Sequence, residues 1–248
     1  MSTAESKSQR LDSRPRFRIW GLTPLELHQA FWRGKGVQAV HRGERFERCD
    51  GVEVYLLLEE SQLVLFDLGK IAELLVWKST PTTRLEISEQ GREQYREELR
   101  RSQSGEVLGV RRSYGYIESS ITSVIFTTSE GEARLWANGE FLSDQVSSGN
   151  KDQEKVLGHV YDARRPSDEG DFFNWIVASW TDPQRVLPEI TEIQPGIFSF
   201  QGALMPTGVA MIAPFWIGLG REITDRRVFV GPQVFLDQNQ GEASPAKA

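Results

Sequence analysis

Residues 193–220 read IQPGIFSFQGALMPTGVAMIAPFWIGLG, and this stretch decides the predicted fold. It contains no charged residue over 28 positions, which is long enough for a membrane-spanning helix. However, it also contains Pro195, Pro206, Pro214 and five glycines. An interior proline disfavours a helix by about 3 kcal/mol and a glycine by about 1 kcal/mol relative to alanine. We therefore expect no integral membrane segment here, and a membrane-associated segment stays open as an alternative.

Glycine and proline recur in this stretch with a period of six residues. The recurring positions are Gly196, Gly202, Gly208, Pro214 and Gly220, and a mostly apolar row three positions earlier comprises Ile193, Ser199, Met205, Met211, Ile217, Ile223 and Phe229. In a parallel β-solenoid each coil has flat sides joined by tight corners, so each side needs one inward apolar residue and one turn residue. The period therefore predicts a short β-solenoid, with a run of short, buried antiparallel strands as the alternative.

The end of this stretch and the residues after it are similar to a known repeat. Ile217-Gly218-Leu219-Gly220, Ile223 and Val230-Gly231-Pro232 with Val234 resemble the hexapeptide-repeat family. That family forms the left-handed parallel β-helix tails of sugar nucleotidyltransferases and acyltransferases. The resemblance covers residues 193–236, under a fifth of the chain, and implies roughly two coils where solenoids usually need about three. The segment would therefore rest on the remainder of the chain or on another copy.

Composition limits the partners and the compartment. The 248 residues carry 35 acidic and 29 basic side chains, so the net charge of −6 disfavours nucleic acid as a partner. The single cysteine, Cys49, excludes an internal disulfide and a cysteine-based zinc site. The basic start of the chain lacks the apolar run of a secretory signal. We therefore expect a cytoplasmic protein.

The sequence divides into four predicted regions. These are a disordered basic tail at 1–15, an α/β or α+β body at 16–190, the hexapeptide-like β-solenoid segment at 191–236, and a disordered tail at 237–248. Within the body we expect strands at Val37–His41, Val52–Leu58, Gln62–Leu68 and Ala133–Trp136, and helices from Thr23 to Arg33, Glu89 to Ser102, Asp152 to Ala163 and Phe172 to Trp180.

The most site-like segment combines two arginines with alternating tyrosines. The candidate ligand-binding residues are Arg111, Arg112, Tyr114, Tyr116 and Glu118. Guanidinium groups can hold a phosphate or carboxylate while aromatic rings stack a sugar or a base. The alternative is an edge strand whose arginines and tyrosines face solvent. No metal site and no cofactor are predicted.

Two features expected of active hexapeptide-tailed enzymes are missing. The acyltransferases of that family use a histidine base on the coils, but His28, His41 and His159 all lie outside the repeat. The sugar nucleotidyltransferases open with a Gly-Thr-Arg phosphate loop. Here the nearest stretches, Arg33-Gly34-Lys35-Gly36 and Arg42-Gly43-Glu44-Arg45, lack the threonine.

The resemblance and these missing features together give the predicted function. We expect a non-catalytic protein of a nucleotide-sugar or surface-polysaccharide pathway that resembles a degenerate tailed sugar nucleotidyltransferase. It would act by binding a nucleotide sugar or phosphosugar, or by homo-oligomerisation through residues 191–236. Two alternatives stay open: an active but diverged nucleotidyl or sugar transferase, and a self-assembling scaffold that pairs through its C-terminal strands.

Overall fold

A computed structural model of the chain describes residues 17–69, 82–89, 92–101, 107–117, 120–140, 154–200, 209–221, 223 and 228–238, with the backbone alone for 92–101, 107–117, 154 and 166. The chain forms two compact units, the central unit (Trp32–Arg165) and the terminal unit (Met1–Phe31 with Pro166–Ala248). The predicted tails at 1–15 and 237–248 lie outside the described residues, except for Asp237 and Gln238.

The described residues contain three α-helices, one 3-10 helix and fourteen strands. The helices are α1 (Pro24–Gly34), α2 (Glu130–Ala137), α3 (Pro166–Ser179) and the 3-10 helix at Pro183–Arg185. The strands are β1 (Val37–His41), β2 (Val54–Leu58), β3 (Gln62–Phe66), β4 (Thr82–Glu89), β5 (Arg92–Arg101), β6 (Val107–Ile117), β7 (Ser120–Thr127), β8 (Glu154–Asp162), β9 (Ile190–Gln194), β10 (Ile197–Phe200), β11 (Ala210–Ile212), β12 (Phe215–Ile217), β13 (Val228–Val230) and β14 (Gln233–Phe235).

Helix α1 begins where its sequence predicts. The Thr23 hydroxyl accepts a hydrogen bond from the Glu26 backbone N–H at 3.3 Å, and the Glu26 carboxylate accepts one from the Thr23 N–H at 2.8 Å. These two reciprocal bonds satisfy donors that the first helical turn leaves free. The predictions for α1 and for strands β1, β2 and β3 are confirmed to within a few residues.

The central unit is built on a six-stranded mixed sheet with the order β1-β2-β7-β4-β8-β3. The pairs β1/β2 and β4/β8 are parallel, and the other neighbours are antiparallel. Residues 55–58 and 63–66 are all buried, as expected for strands covered on both faces. At the end of edge strand β1, Nε2 of His41 lies 3.0 Å from the Gln62 carbonyl oxygen at the start of the other edge strand, β3. The sheet is therefore nearly closed on itself.

Strands β5 and β6 continue the antiparallel register of β4 and β7. Thr82 lies opposite Thr127 at one end of the β4/β7 pair, and Arg92 lies opposite Ile117 in the same register at the start of the β5/β6 pair. The predicted helix at Glu89–Ser102 is therefore wrong. Charged residues at most positions of this segment follow neither a helical nor a strand period, so its pairing with β6 decides the structure.

Two shorter elements of the central unit also differ from their predictions. The segment predicted as a helix at Asp152–Ala163 forms strand β8 instead. The prediction was wrong because Val156 and Val160, four positions apart, fit a period of two as well as one face of a helix. The predicted strand at Ala133–Trp136 lies inside helix α2, whose first turn is capped by Ser129.

The terminal unit contains a four-stranded sheet with the order β14-β12-β10-β9 and a two-stranded sheet of β11 and β13. Parallel neighbours are eighteen residues apart, with Ile197 beside Phe215 and Phe215 beside Gln233. Strand β9 instead runs antiparallel to β10 and joins it at Gly196, whose φ of +73° suits glycine. The buried residues between these strands are Ile197, Phe215, Ile217 and Ile223.

The predicted fold class, a body followed by a short C-terminal β-solenoid-like segment, is wrong. A body that mixes helices and strands is compatible with the structure, but the described strands after residue 190 form mixed and two-stranded sheets. They also belong to one unit with residues 17–31 and α3, rather than following a finished body. The six-residue period matches the eighteen-residue spacing of the parallel neighbours, but it does not encode the antiparallel pairing of β9 with β10 or the division into two sheets.

No helix in the described part of the chain is long and apolar enough to cross a membrane.

One carboxylate joins the two ends of the described chain inside the terminal unit. Asp237 accepts hydrogen bonds from the backbone N–H groups of Trp20 at 2.8 Å, Gly21 at 2.6 Å and Leu219 at 2.7 Å. The indole of Trp20 donates to the Ile217 carbonyl at 2.8 Å. Trp20 has a φ of +56°, a costly conformation for a side chain of this size. The bonds from its backbone and its ring compensate for that cost.

We expect Asp237→Ala to destabilise the protein by about 2–4 kcal/mol, because three N–H groups lose a charged acceptor. Urea unfolding followed by tryptophan fluorescence measures this change. The matched control is Asp182→Ala, since Asp182 is exposed and makes no side-chain cap to the 3-10 helix beside it. The control should lie within about 0.5 kcal/mol of the wild type. Equal stabilities for the two variants would contradict the role of Asp237.

Candidate anion-binding site

The sequence-predicted site lies on β6, apart from one residue. Backbone register places Arg111 opposite Glu98 and Arg112 opposite Glu97 on β5. The structure describes no side chain of β6, and Glu118 lies outside the described residues. Ligand binding by this segment therefore stays a prediction; its residues are Arg111, Arg112, Tyr114, Tyr116 and Glu118.

A different set of arginines and aromatic side chains is brought together on the central unit. We call it the Glu130 cluster; its members are Phe46, Arg48, Tyr55, Glu130 and Arg134. Arg48 Nη1 lies 3.1 Å from Glu130 Oε2, and Arg134 Nη2 lies 2.8 Å from Glu130 Oε1. One carboxylate thus holds two guanidinium groups, one on each of its oxygens.

Aromatic rings line one side of this cluster. The Arg134 guanidinium lies over the ring of Phe46, with Cζ 5.2 Å from the ring centroid. The Phe46 ring in turn packs on Tyr55, with 5.9 Å between centroids. A cation over a ring face is attracted by the ring quadrupole, so Phe46 helps to orient Arg134.

Arg48 is positioned by the side chain of Gln38 on β1. The Gln38 amide oxygen accepts a hydrogen bond from the Cys49 N–H at 2.9 Å, and its nitrogen donates to the Glu47 carbonyl at 2.7 Å. The backbone on both sides of Arg48 is therefore fixed to the sheet. The arginine is presented by an anchored loop, although the loop has no regular secondary structure.

The first turn of α2 positions Glu130. Ser129 caps the helix by accepting a hydrogen bond from the Glu132 N–H at 3.3 Å. The Glu132 carboxylate accepts hydrogen bonds from the hydroxyls of Thr127, at 2.6 Å, and Thr82. These bonds attach the start of α2 to the ends of β4 and β7. The N-terminus of a helix also favours acidic side chains such as Glu130.

The last turn of α2 is fixed by Trp136. Its indole N–H donates to the Leu58 carbonyl at 2.8 Å, and the Arg42 guanidinium lies 5.2 Å above its ring. Trp136 and Ala133 are buried in a core with Tyr55 and residues of β1, β2 and β7. Arg134, between them, keeps a side chain that is 58 % exposed. The buried face of the helix therefore directs Glu130 and Arg134 to the surface.

The arrangement is suited to binding an anion. Arg48 and Arg134 are both more than half exposed, whereas Glu130 is about one-third exposed. Guanidinium forks form paired hydrogen bonds with the oxygens of carboxylates and phosphates. A phosphate that replaced the Glu130 carboxylate would meet two guanidinium groups that are already close together.

Tyr55 connects this surface to the core. Burial raises the pKa of the Tyr55 hydroxyl above its usual value, and this effect exceeds the lowering by Arg48. The Glu130 carboxylate adds to the increase. The hydroxyl therefore stays protonated over the physiological range and can act as a hydrogen-bond donor.

Sequence reasoning missed this site because it assigned the wrong element to residues 133–136. Glu130 and Arg134 have the i, i+4 spacing at which two side chains are neighbours on a helix. The same spacing does not make them neighbours in a strand. A signal was present in Ser129-Glu130-Gly131-Glu132, which matches the Ser-x-x-Glu start of a capped helix. Sheet pairing brings Phe46, Arg48 and Tyr55 close to α2, and no local sequence pattern predicts such pairing.

Comparison with known proteins adds no relative: no protein-family model matches the chain, and no curated protein matches it. Within the residues that the structure describes, no group of three or more His, Cys, Asp and Glu side chains could hold a metal ion. The resemblance of residues 193–236 to the hexapeptide-repeat family stays a prediction.

We expect the free energy of unfolding of the wild type to fall more steeply as the pH rises above about 8 than that of the Tyr55→Phe variant. Because the folded chain holds the Tyr55 proton more tightly, the stability from this group is complete below about pH 10 and is lost as the pH rises through the folded pKa. Urea unfolding at several pH values between about 8 and 11 measures the two slopes. A difference absorbance titration of wild type minus Tyr55→Phe isolates the phenol. Identical slopes, or ionisation of Tyr55 at or below its ordinary pKa, would contradict the assignment.

Proposed function

We propose that this protein is a non-catalytic ligand-binding protein of a nucleotide-sugar or surface-polysaccharide pathway. It binds the phosphate of a nucleotide sugar or phosphosugar at the Glu130 cluster. The observation that carries this proposal is the convergence of Arg48 and Arg134 on one partly exposed carboxylate beside an aromatic ring.

The cluster supports phosphate binding by exchange of one anion for another. In the free protein Glu130 keeps the two guanidinium groups close, which lowers the entropy cost of ordering them on a ligand. A phosphate offers more charge and more acceptor oxygens than a carboxylate, so it competes for the same donors. Glu130 then moves toward solvent, which its partial exposure permits.

The pathway and the compartment are supported by the sequence. Residues 193–236 resemble the tails of sugar nucleotidyltransferases, while the Gly-Thr-Arg loop of those enzymes is missing. The single cysteine suits a reducing cytoplasm. A phosphorylated sugar is consistent with this resemblance and with a site built from arginines.

A second function, self-association through residues 191–236, is supported by a separate observation. Ile212, Val228 and Val230 lie in this segment, and each exposes more than half of its surface. Clustered apolar exposure on a chain that is otherwise rich in charge is typical of a contact surface. This interaction does not depend on the Glu130 cluster.

We expect nucleotide sugars and sugar phosphates to raise the melting temperature of the wild type, because ligand that binds only the native state stabilises it. A suitable panel contains UDP-glucose, GDP-mannose and glucose 1-phosphate. Arg134→Ala should weaken binding by about tenfold or more, since it removes a charge-assisted hydrogen bond. Arg134→Lys keeps the positive charge but loses the forked guanidinium, so its affinity should lie between those of Arg134→Ala and the wild type.

The matched control is Arg45→Ala. Arg45 lies in the loop that carries Arg48, but it forms an exposed ion pair with Glu47 instead of contacting Glu130. This variant should bind like the wild type. No stabilisation by any ligand, or equal binding by Arg134→Ala and wild type, would contradict binding at this site. Release of pyrophosphate from a nucleotide and a sugar phosphate with magnesium would contradict a non-catalytic role.

A further inference from the structure

Strands β5 and β6 form a two-stranded ribbon whose register sorts its residues onto two unlike faces. Residues directly opposite one another in an antiparallel pair share a face, and so do alternate residues of one strand. The even-numbered residues of β5 therefore share one face with their partners on β6. We call it the arginine face; its members on β5 are Arg92, Gln94, Arg96, Glu98 and Arg100.

The arginine face has an excess of positive charge. Arg111 on β6 lies opposite Glu98, so these two charges balance. The other three arginines lie opposite an isoleucine, a serine and a glycine, so no acidic residue stands across the ribbon from them. Residues 90–119 as a whole contain six arginines and five glutamates. The register, and not the composition of the segment, therefore concentrates positive charge on this face.

The arginine face continues a solvent-exposed side of the central sheet. Because the register of β5/β6 continues that of β4/β7, even-numbered residues of β4 such as Glu86 lie on the same side. On that side Ile121 is 60 % exposed, and the Lys155 side chain beside Glu86 is 69 % exposed. Leu85 and Ile87, on the other side of β4, are buried. Lys155 Nζ lies 3.9 Å from Glu86 Oε2, so the charge of Glu86 is also balanced.

We propose that the arginine face binds an acidic polysaccharide whose charges are widely spaced. Four residues of a strand span about 13 Å, so Arg92, Arg96 and Arg100 form a row with about 13 Å between neighbours. Duplex DNA instead carries about one negative charge per 1.7 Å of its axis. A polysaccharide with one carboxylate on every second or third sugar is closer to the sparse spacing of this row. Arginine is also the residue best suited to binding a carboxylate.

The uncharged residues of the arginine face suit the neutral sugars between such carboxylates. Gln94 lies between Arg92 and Arg96 on β5, and Ser113 lies opposite Arg96 on β6. Amide and hydroxyl groups both donate and accept hydrogen bonds, as the hydroxyls of a sugar do. The face thus combines sparse positive charge with polar, uncharged positions.

Nucleic acid fits the arginine face less well. Proteins that bind single strands combine a basic groove with aromatic rings on which the bases stack. Here the tyrosines of the ribbon, Tyr95, Tyr114 and Tyr116, lie on the face opposite to the arginine face. The densely charged duplex would also be repelled by a chain whose net charge is −6. A sparsely charged polysaccharide is repelled less.

The arginine face is separate from the Glu130 cluster. Helix α2 is attached to β4 and β7 at Thr82 and Thr127. The ribbon lies beyond the other end of these two strands, where Arg92 is opposite Ile117. Polysaccharide binding at the arginine face therefore does not depend on phosphate binding at the Glu130 cluster, and either can fail alone.

Fluorescence anisotropy of labelled hyaluronan oligosaccharides titrated with the full chain tests this face, because hyaluronan has one carboxylate on every second sugar. We expect saturable binding that weakens as sodium chloride is raised, and no binding of neutral dextran. Arg92→Thr/Arg96→Thr should raise the dissociation constant about tenfold or more, since it removes two of the three unbalanced charges. Arg92→Lys/Arg96→Lys keeps both charges, so its affinity should lie between those of the threonine variant and the wild type.

Threonine suits the strand, and circular dichroism and the melting temperature verify the fold of each variant. The matched control is Arg45→Thr/Arg185→Thr, which removes the same charge from two exposed positions outside the ribbon. It should bind hyaluronan like the wild type.

Three results would overturn the proposal. If the wild type binds no hyaluronan, or binds dextran equally well, the face does not recognise an acidic polysaccharide. If Arg92→Thr/Arg96→Thr binds like the wild type, or no more weakly than the control, the ligand does not bind at the arginine face. If a thymidine oligonucleotide binds more tightly than hyaluronan, the face serves nucleic acid instead.

Discussion

The candidate site depends on the packing of α2 against the central sheet. Trp136 is buried with its indole bonded to the Leu58 carbonyl, and Glu132 bonds to two threonine hydroxyls at the other end of the helix. Fixed at both ends, the helix can present Glu130 and Arg134 to solvent in only one orientation. The site therefore depends on core burial, because the buried Trp136 fixes the helix that carries the exposed Arg134.

Local patterns in the sequence were enough for elements that are stabilised locally. The Thr23–Glu26 capping box predicted α1, and alternating or continuous apolar runs predicted β1 to β3. They failed for β5, β8 and α2, where pairing or packing with distant residues decides the conformation. The Glu130 cluster belongs to the second group, because Arg48 and Arg134 are 86 positions apart in the sequence and meet only through the sheet.

The C-terminal segment shows the same limit for a longer pattern. Its six-residue period does correspond to structure, since parallel neighbours lie eighteen residues apart. The period does not encode the antiparallel pairing of β9 or the bonds from Asp237 to Trp20 and Gly21. Those long-range interactions make residues 190–238 part of one unit with the start of the chain. Within this unit, Ile212, Val228 and Val230 of β11 and β13 are more than half exposed.

The central claim is that Arg48 and Arg134 form one anion site. The most direct measurement is a titration of the labelled protein with UDP-glucose, followed by NMR of the arginine Nε–H groups. We predict that the Arg48 and Arg134 signals shift together and saturate with one dissociation constant, while the Arg45 signal does not move. Saturable binding that leaves Arg48 and Arg134 unshifted would contradict the account.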